Sequence, residues 1–336
     1  MRPKAMVAAI VCFIFSIAMI YPEVSCGGIS PQDEKKFADS PGATAVSDTA
    51  LDEFIKEQSE DHSTRWFYRD TPGKLKGVAL VIHGLNLRPD RMQPIIAKLT
   101  GSGIDVLGLS LRGHGENYTH GNGPTEGQAR LAAFKSVSYQ LWMNEAYLAY
   151  LQLKERAAEK GVPMFLTAFS LGGLIGLDLI ATEPEVRFDK LILFAPAIRL
   201  RAAIYLERLL SPFPRMVIPS MAPKDYLANQ KGTPIAAYNA LFEGLDRFNQ
   251  NADQKLNVPT LVFIDRQDEF IPLQKLQDLV EKQGWNQWQF YMVEKDKSVR
   301  EETFYHHIID ASSTGESVWQ DMMKAALHHL MKQAAN

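Results

Sequence analysis

From Arg65 to the C-terminus, short apolar runs alternate with longer stretches in which apolar residues recur at every third or fourth position. A short continuous apolar run reads as a buried strand and the longer spacing as an amphipathic helix, so the alternation predicts βαβ units around a mainly parallel sheet. The predicted core strands are 78–83, 104–109, 164–169, 190–194, 260–264 and 289–293. Helical patterns separate most of them, at 89–99, 127–160, 171–182, 273–283 and 316–332. The exception is 201–258, a stretch rich in Leu, Pro, Met and Tyr that falls between two strands. A structureless connection of that length does not fit a compact domain, which leaves a small helical cap insert over one edge of the sheet.

Composition supports a folded protein of one big domain or two smaller ones. Of 336 residues, 46% are hydrophobic and 22% charged, close to the globular average and enough to bury a sizeable core. That excludes a disordered chain, a collagen-like repeat and a coiled-coil rod. With 36 Lys and Arg against 39 Asp and Glu, the net charge is −3. No long basic stripe supplies the field that phosphate backbones need, so nucleic acid is not an expected partner.

The N-terminus differs from the rest. Arg2 and Lys4 precede the apolar run 6–20, which leads to Val24-Ser25-Cys26-Gly27-Gly28. A run of about 15 residues matches the core of an export signal and falls short of the ~20 that span a bilayer as a helix. The cysteine and its neighbours resemble a bacterial lipobox, in which the cysteine is lipidated and becomes the mature N-terminus; Glu23 stands where that box prefers Leu. Ordinary cleavage beside Cys26 and an uncleaved N-terminal helix are the alternatives. The expected location is therefore exported: periplasmic, secreted, or lipid-anchored to the cell envelope with membrane association through the N-terminus. Cys12 and Cys26 account for the 2 cysteines. A mature body without cysteine has no internal disulfide, thiolate metal site or thiol nucleophile. Residues 1–28 thus read as the export or lipoprotein signal, 29–62 as a linker with a lead-in helix, and 63–336 as the folded domain carrying the cap insert 201–258.

The sharpest chemical signal is Thr167-Ala168-Phe169-Ser170-Leu171-Gly172-Gly173. A buried strand ends on a serine flanked by small residues and a helical pattern begins at once. A turn that tight crowds its neighbours, so the positions two before and two after the serine must be small, and here they are Ala168 and Gly172. The geometry lifts the hydroxyl clear of the sheet and places it at a helix N-terminus, where free N–H groups favour a developing negative charge. A serine is unreactive at its free pKa, so it needs a base and a group to orient that base. Downstream, the apolar strand 260–264 runs into an acidic turn containing Asp265, Asp268 and Glu269, and His306 and His307 follow the last strand. Both aspartates and both histidines are within reach of that chemistry, and the chain order is Ser, Asp, His.

On these motifs residues 64–333 resemble an α/β-hydrolase, closest to the serine-hydrolase branch of monoacylglycerol lipases, lysophospholipase-like enzymes and serine aminopeptidases. The resemblance implies the α/β-hydrolase fold, with a mainly parallel central sheet flanked by helices. Val81-Ile82-His83-Gly84-Leu85 resembles the His-Gly turn that supplies half of the oxyanion hole in that fold, which implies Leu85 and Leu171 as the two N–H donors. Leu111-Arg112-Gly113-His114-Gly115 resembles a structural turn of the family, with Ser110 where an Asp is usual, so His114 is expected to be a packed, hydrogen-bonded histidine. In related enzymes the acid precedes an apolar-Pro step, as Asp268 precedes Ile271-Pro272. Asp265 and Glu269 are left as turn formers or solvated charges. His307 is chosen over His306 because Ile308 and Ile309 directly follow it, as apolar residues follow the family's histidine.

The expected catalytic residues are thus Ser170, Asp268 and His307, with no cofactor and no metal. His328 and His329 are adjacent on an amphipathic helix and point apart, which argues against a metal site. The expected activity is hydrolysis of a carboxylic ester, a small molecule with an acyl chain. Leu206, Leu209, Leu210, Phe213, Met216, Val217, Ile218 and Met221 of the insert are candidates either to line an acyl pocket or to pack the cap. Two alternatives stand beside it. An aminopeptidase on the same fold would need a carboxylate for the substrate's amino group, for which Glu207, Asp225 and Glu243 are available. A non-catalytic binding protein on the same scaffold would not need Ser, Asp and His intact and in order.

Overall fold

The computed structural model describes residues 63–332 except Thr71, Met221 and 300–303. The expected leader at 1–28 and linker at 29–62, with Cys12 and Cys26, lie outside the described residues. The first strand, β1 (Thr64–Phe67), is followed by β2 (Gly77–Ile82), a 3-10 turn leading into α1 (Gln93–Thr100), β3 (Ile104–Leu109), α2 (Glu126–Phe134), α3 (Tyr139–Lys160), β4 (Met164–Phe169), α4 (Leu171–Thr182) and β5 (Lys190–Phe194). The insert then contributes a 3-10 stretch (Ala202–Leu210), the short pair β6 (Val217–Ile218) and β7 (Thr233–Pro234), and α5 (Ile235–Asn251). The chain returns to the sheet with β8 (Thr260–Asp265), α6 (Leu273–Gln283), β9 (Trp288–Val293), the single turn α7 (Ala311–Thr314) and α8 (Glu316–Met331).

The main sheet has 7 strands in the order β1-β3-β2-β4-β5-β8-β9. Every pairing is parallel except β1 with β3 at the edge. The central strands are buried on both faces, as Gly77–Ile82 is along its whole length. Continuous apolar runs are what a parallel sheet covered by helices requires. β1 was not expected, because Thr-Arg-Trp-Phe is only half-buried at the edge and carries no apolar run.

The helical reading of 127–160 is corrected to two helices. Ser138 is extended and its hydroxyl accepts the N–H of Leu141, capping α3 afresh, while Ser136 Oγ donates back to the Ala133 carbonyl at 2.9 Å. Such side-chain bonds offer the backbone an alternative to continuing the helix. α4 is buried all round: the sheet covers one side, and α3 and α5 pack on it from the other. Part of the 201–258 insert therefore joins the helical layer. Its helix α5 is anchored by Arg247, which pairs with the fully buried Asp178 of α4 at 3.0 Å, while Tyr139 Oη of α3 donates to the same carboxylate at 3.1 Å. Burial pushes the Asp178 carboxyl up to about 6, against the pull of Arg247.

The approach of α5 to α3 is set by Gly244, whose α-carbon faces the Tyr139 ring so closely that an added Cβ would lie 2.2 Å from it. Gly244→Ala is expected to cost about 1–3 kcal/mol, since neither a helix nor a buried ring can yield by that much. Urea unfolding of the variant beside the wild type measures it, and equal midpoints would show that the two helices are not held at this contact.

Candidate functional site

The candidate site sits where the parallel strands end, at their C-terminal edge, the usual location for a site in an α/β sheet. Ser170 joins β4 directly to α4 with φ 52° and ψ −115°, a conformation that L residues rarely adopt and that costs roughly 1–3 kcal/mol. Its backbone is fixed from several sides. Its N–H donates to the Phe194 carbonyl at 2.9 Å, and its carbonyl accepts the N–H groups of Gly173 at 3.0 Å and Ala197 at 2.9 Å. Gly172 has no room for a side chain, since a Cβ would lie 2.4 Å from the Ile82 carbonyl oxygen and 2.7 Å from that of His83. The small residue expected two positions after the serine thus has a steric cause.

His306 faces Ser170, with Nε2 at 2.9 Å from the serine Oγ and Nδ1 at 2.8 Å from Asp268 Oδ2. A carboxylate can only accept, so Nδ1 carries the proton and the Nε2 lone pair points at the serine hydroxyl. Asp268 is fully buried. Its other oxygen accepts the N–H groups of Phe270 at 2.8 Å and Ile271 at 2.7 Å, which fixes its orientation. The His306 ring lies against Phe169 at 4.9 Å and meets Phe270 edge-on at 5.0 Å.

The choice of His307 is corrected. Its ring stacks on Tyr226 of the insert, with centroids 4.7 Å apart and planes 12° from parallel. Burial pushes His307 down to about 3, with the neighbouring His306 and Lys295 adding to the effect. The Arg91 guanidinium also lies over the Tyr226 ring, 4.4 Å from its centroid, and Tyr226 Oη donates to Asp310. His307 therefore belongs to the contact between the insert and the sheet. Neighbouring residues point in different directions, and Glu269 holds the backbone at this point. Its carboxylate oxygens accept the N–H groups of Tyr305 and His306, each at 3.0 Å. Glu269 is thus neither a turn former nor a solvated charge, and its role had no local sequence signal. Asp265 caps the turn through the Gln267 N–H at 2.8 Å and does not bond either histidine.

Leu85 and Leu171 lie beside the serine. Leu171 opens α4, so its N–H has no intrahelical carbonyl to reach. The turn carrying Leu85 presses on the elbow, where a Cβ on Gly84 would lie 3.2 Å from Ser170 Cβ. Two buried histidines brace that turn. His83 Nδ1 donates to the Gly84 carbonyl at 2.8 Å while Nε2 accepts the Leu111 N–H at 3.0 Å, and His114 Nε2 accepts the Asn86 N–H at 3.0 Å. Both must be neutral to accept; burial lowers His83 to about 4 and His114 well below its ordinary value. His114 is thus packed and hydrogen-bonded, as its turn implied.

Asn86 has φ 52°, and its side chain bonds the backbone of Asn229, accepting the Asn229 N–H at 2.8 Å and donating to its carbonyl at 3.2 Å. Of the candidate acids in the insert, Asp225 is exposed and paired with Arg91, Glu243 is exposed, and Glu207 is buried with its carboxyl pushed up by desolvation. Leu209 and Phe213 are exposed, at 66% and 59%, so neither packs the insert down nor closes a pocket. Met221 lies outside the described residues. Among the described residues, no group of three or more His, Cys, Asp and Glu is placed to hold a metal ion.

No curated protein matches the chain, but solved structures do. One described with LipS and LipT, two metagenome-derived lipolytic enzymes, superposes with TM-score 0.61 at 18% identity, covering 81% of this chain and 98% of that one. A soluble variant of monoglyceride lipase from Saccharomyces cerevisiae, in complex with a substrate analogue, gives 0.63 at 13% identity over 80% and 90%. The monoacylglycerol lipase of Paleococcus ferrophilus gives 0.56 at 17% identity over 80% and 97%. At such identities the likeness is one of fold. A family model described as serine aminopeptidase, S33, matches residues 73–309, from before β2 to the segment beyond His306. That span takes in every strand of the sheet but β1, together with the elbow and the insert, and the chain belongs to this family of α/β-hydrolases.

Proposed function

We propose that the protein is a serine hydrolase that cleaves carboxylic esters bearing an acyl chain. The observation that carries this reading is the hydrogen-bonded line from Ser170 Oγ through His306 to Asp268. In the proposed reaction His306 Nε2 takes the Ser170 proton as Oγ attacks the ester carbonyl, and Asp268 stabilises the imidazolium that forms. The tetrahedral oxyanion is met by the N–H groups of Leu85 and Leu171. Losing one such donor typically costs about 3 kcal/mol of transition-state stabilisation. His306 then gives its proton to the departing alkoxide, leaving an acyl group on Ser170. Water, deprotonated by His306, attacks that acyl-enzyme and releases the carboxylic acid. The apolar residues of the insert that remain half-buried, Leu206, Met216, Val217 and Ile218, favour an acyl chain over a polar one. The leader-like residues 1–28 favour a substrate met outside the cytoplasm. Glu207 keeps a second reading open, an aminopeptidase whose buried carboxylate receives the substrate's ammonium group.

Hydrolysis of p-nitrophenyl esters from acetyl to palmitoyl tests the proposal, with aminoacyl p-nitroanilides run beside them. Ser170→Ala and His306→Ala are each expected to lower kcat/KM by on the order of 10⁴-fold or more. Turnover of the aminoacyl substrates alone would replace the ester reading with the peptidase one.

His307→Phe keeps the stack on Tyr226 and is expected to leave kcat within about threefold of the wild type. The same variant has a pH signature. Because the folded chain holds His307 below its ordinary value, its neutral form contributes fully to stability above pH 6.5, and that contribution is lost as pH falls toward about 3. The variant lacks the loss, so between pH 7 and 4.5 its unfolding free energy is expected to gain on the wild type's by about 2–3 kcal/mol. Urea melts at both pH values measure the difference, and a constant offset would contradict the burial of a neutral His307.

A further inference from the structure

Lys295 stands just beyond β9 and is 1% exposed, a burial that lysine rarely accepts without partners. Its ammonium donates to the carbonyl of His307 at 2.7 Å and to that of Phe304. Those carbonyls bracket Tyr305 and His306, whose N–H groups are both taken by Glu269. Backbone 304–307 is therefore gripped from two sides, its carbonyls by a cation and its amides by an anion. Neither group touches the atoms that would react.

The charges facing Lys295 come from separate elements: Asp265 at the end of β8, Asp268 and Glu269 in the turn after it, and Asp310 ahead of α7. The Tyr305 ring lies 5.9 Å from Nζ, and His307 is near enough for the ammonium to disfavour its protonation. We propose that Lys295 is a positioning residue for the hydrolysis, its buried ammonium fixing the loop that holds His306 on Ser170, and that loss of its proton to solvent slackens that loop. The proposal rests on the serine-hydrolase reading above.

The chemistry favours such a device. Charge-assisted hydrogen bonds are roughly twice as strong as neutral ones. An amine that has given up its proton has one N–H fewer and leaves the surrounding carboxylates without their buried counter-charge. Desolvation lowers the Lys295 ammonium to about 8 while those carboxylates hold it up, so the transition falls in an accessible range. A shift of about 1 Å in a catalytic group costs on the order of a hundredfold in rate.

The test uses the full chain with Lys295→Met, which keeps the length without the charge, and Lys295→Arg, which keeps the charge at all working pH values. The rate at which a fluorophosphonate labels Ser170, and kcat and KM on the ester, are followed from pH 6 to 10. The wild type is expected to lose rate as pH rises through about 8. Lys295→Met is expected to be slower at pH 7 by roughly ten- to a hundredfold in kcat with little change in KM, and to lack that alkaline fall. Lys295→Arg is expected to recover most of the rate and also to lack the fall. An unchanged alkaline limb in both variants, or a loss of kcat matched by the same loss of labelled sites, would overturn the proposal.

Shifts of the Tyr305 and His306 amides, read by NMR against the ¹³Cε titration of Lys295, give a readout independent of turnover. Movement of the amides with the lysine supports the grip, and amides that stay fixed refute it. A wild type that neither hydrolyses ester nor takes the label would defeat the hydrolase reading instead, leaving the amide titration to judge the loop.

Discussion

Everything at the site depends on how closely the start of α4 approaches the end of β2. Gly172 rests against the carbonyls of Ile82 and His83 at distances no Cβ permits. That contact forces the chain to turn from strand to helix within a single residue, and Ser170 absorbs the turn with a positive φ. The same contact brings the turn containing Leu85 beside the serine. The exposed hydroxyl, the helix N-terminus and the neighbouring N–H are three results of one close approach, which is why a serine in this setting has chemical meaning that a serine at an ordinary helix cap lacks.

Strain gathers at the same edge. Among the described residues, the non-glycine positions with positive φ are Asn86, Ser170 and Ala195, which follow β2, β4 and β5. Each is held by hydrogen bonds that cross between elements. Asn86 is tied to His114 and to Asn229, Ser170 to Phe194 and Ala197, and Ala195 to Phe263. Strain of this kind persists only where the surroundings over-determine it, and here β5 and β8 constrain Ser170 and Ala195 while the His114 turn and the insert constrain Asn86.

The sheet and the serine were legible because their signals are local. Continuous apolar runs located the parallel strands, and the small residues around Ser170 marked a crowded turn within a few positions of it. The predicted helix at 171–182 and the predicted strands at 104–109, 164–169 and 190–194 coincide with α4, β3, β4 and β5. The histidine was not legible, since adjacent residues differ only in direction. What holds the His306 ring on Ser170 is Asp268, and what holds its backbone is Glu269, both remote in sequence, while what occupies His307 is the ring of Tyr226, more distant still. Apolar followers suggested His307, but Ile308 and Ile309 are buried for packing and carry no information about which imidazole faces the serine. Lys295 and Asn86 were invisible for the same reason: their meaning lies in carbonyls and amides that only folding brings near.

The bridge between Leu87 and Leu227 changes what the insert is. Residues 226–229 run alongside the turn next to Leu85, with Arg88 N–H on the Tyr226 carbonyl at 2.8 Å and Ala228 N–H on the Asn86 carbonyl at 2.9 Å. Joining residue 200 directly to 259 would not yield a pared-down hydrolase. It would strip Asn86 of its side-chain partners and unmoor the turn. The segment is masonry in the wall of the site rather than a roof laid over it, so natural variation or engineering of this chain has little freedom where the insert crosses residues 86–88.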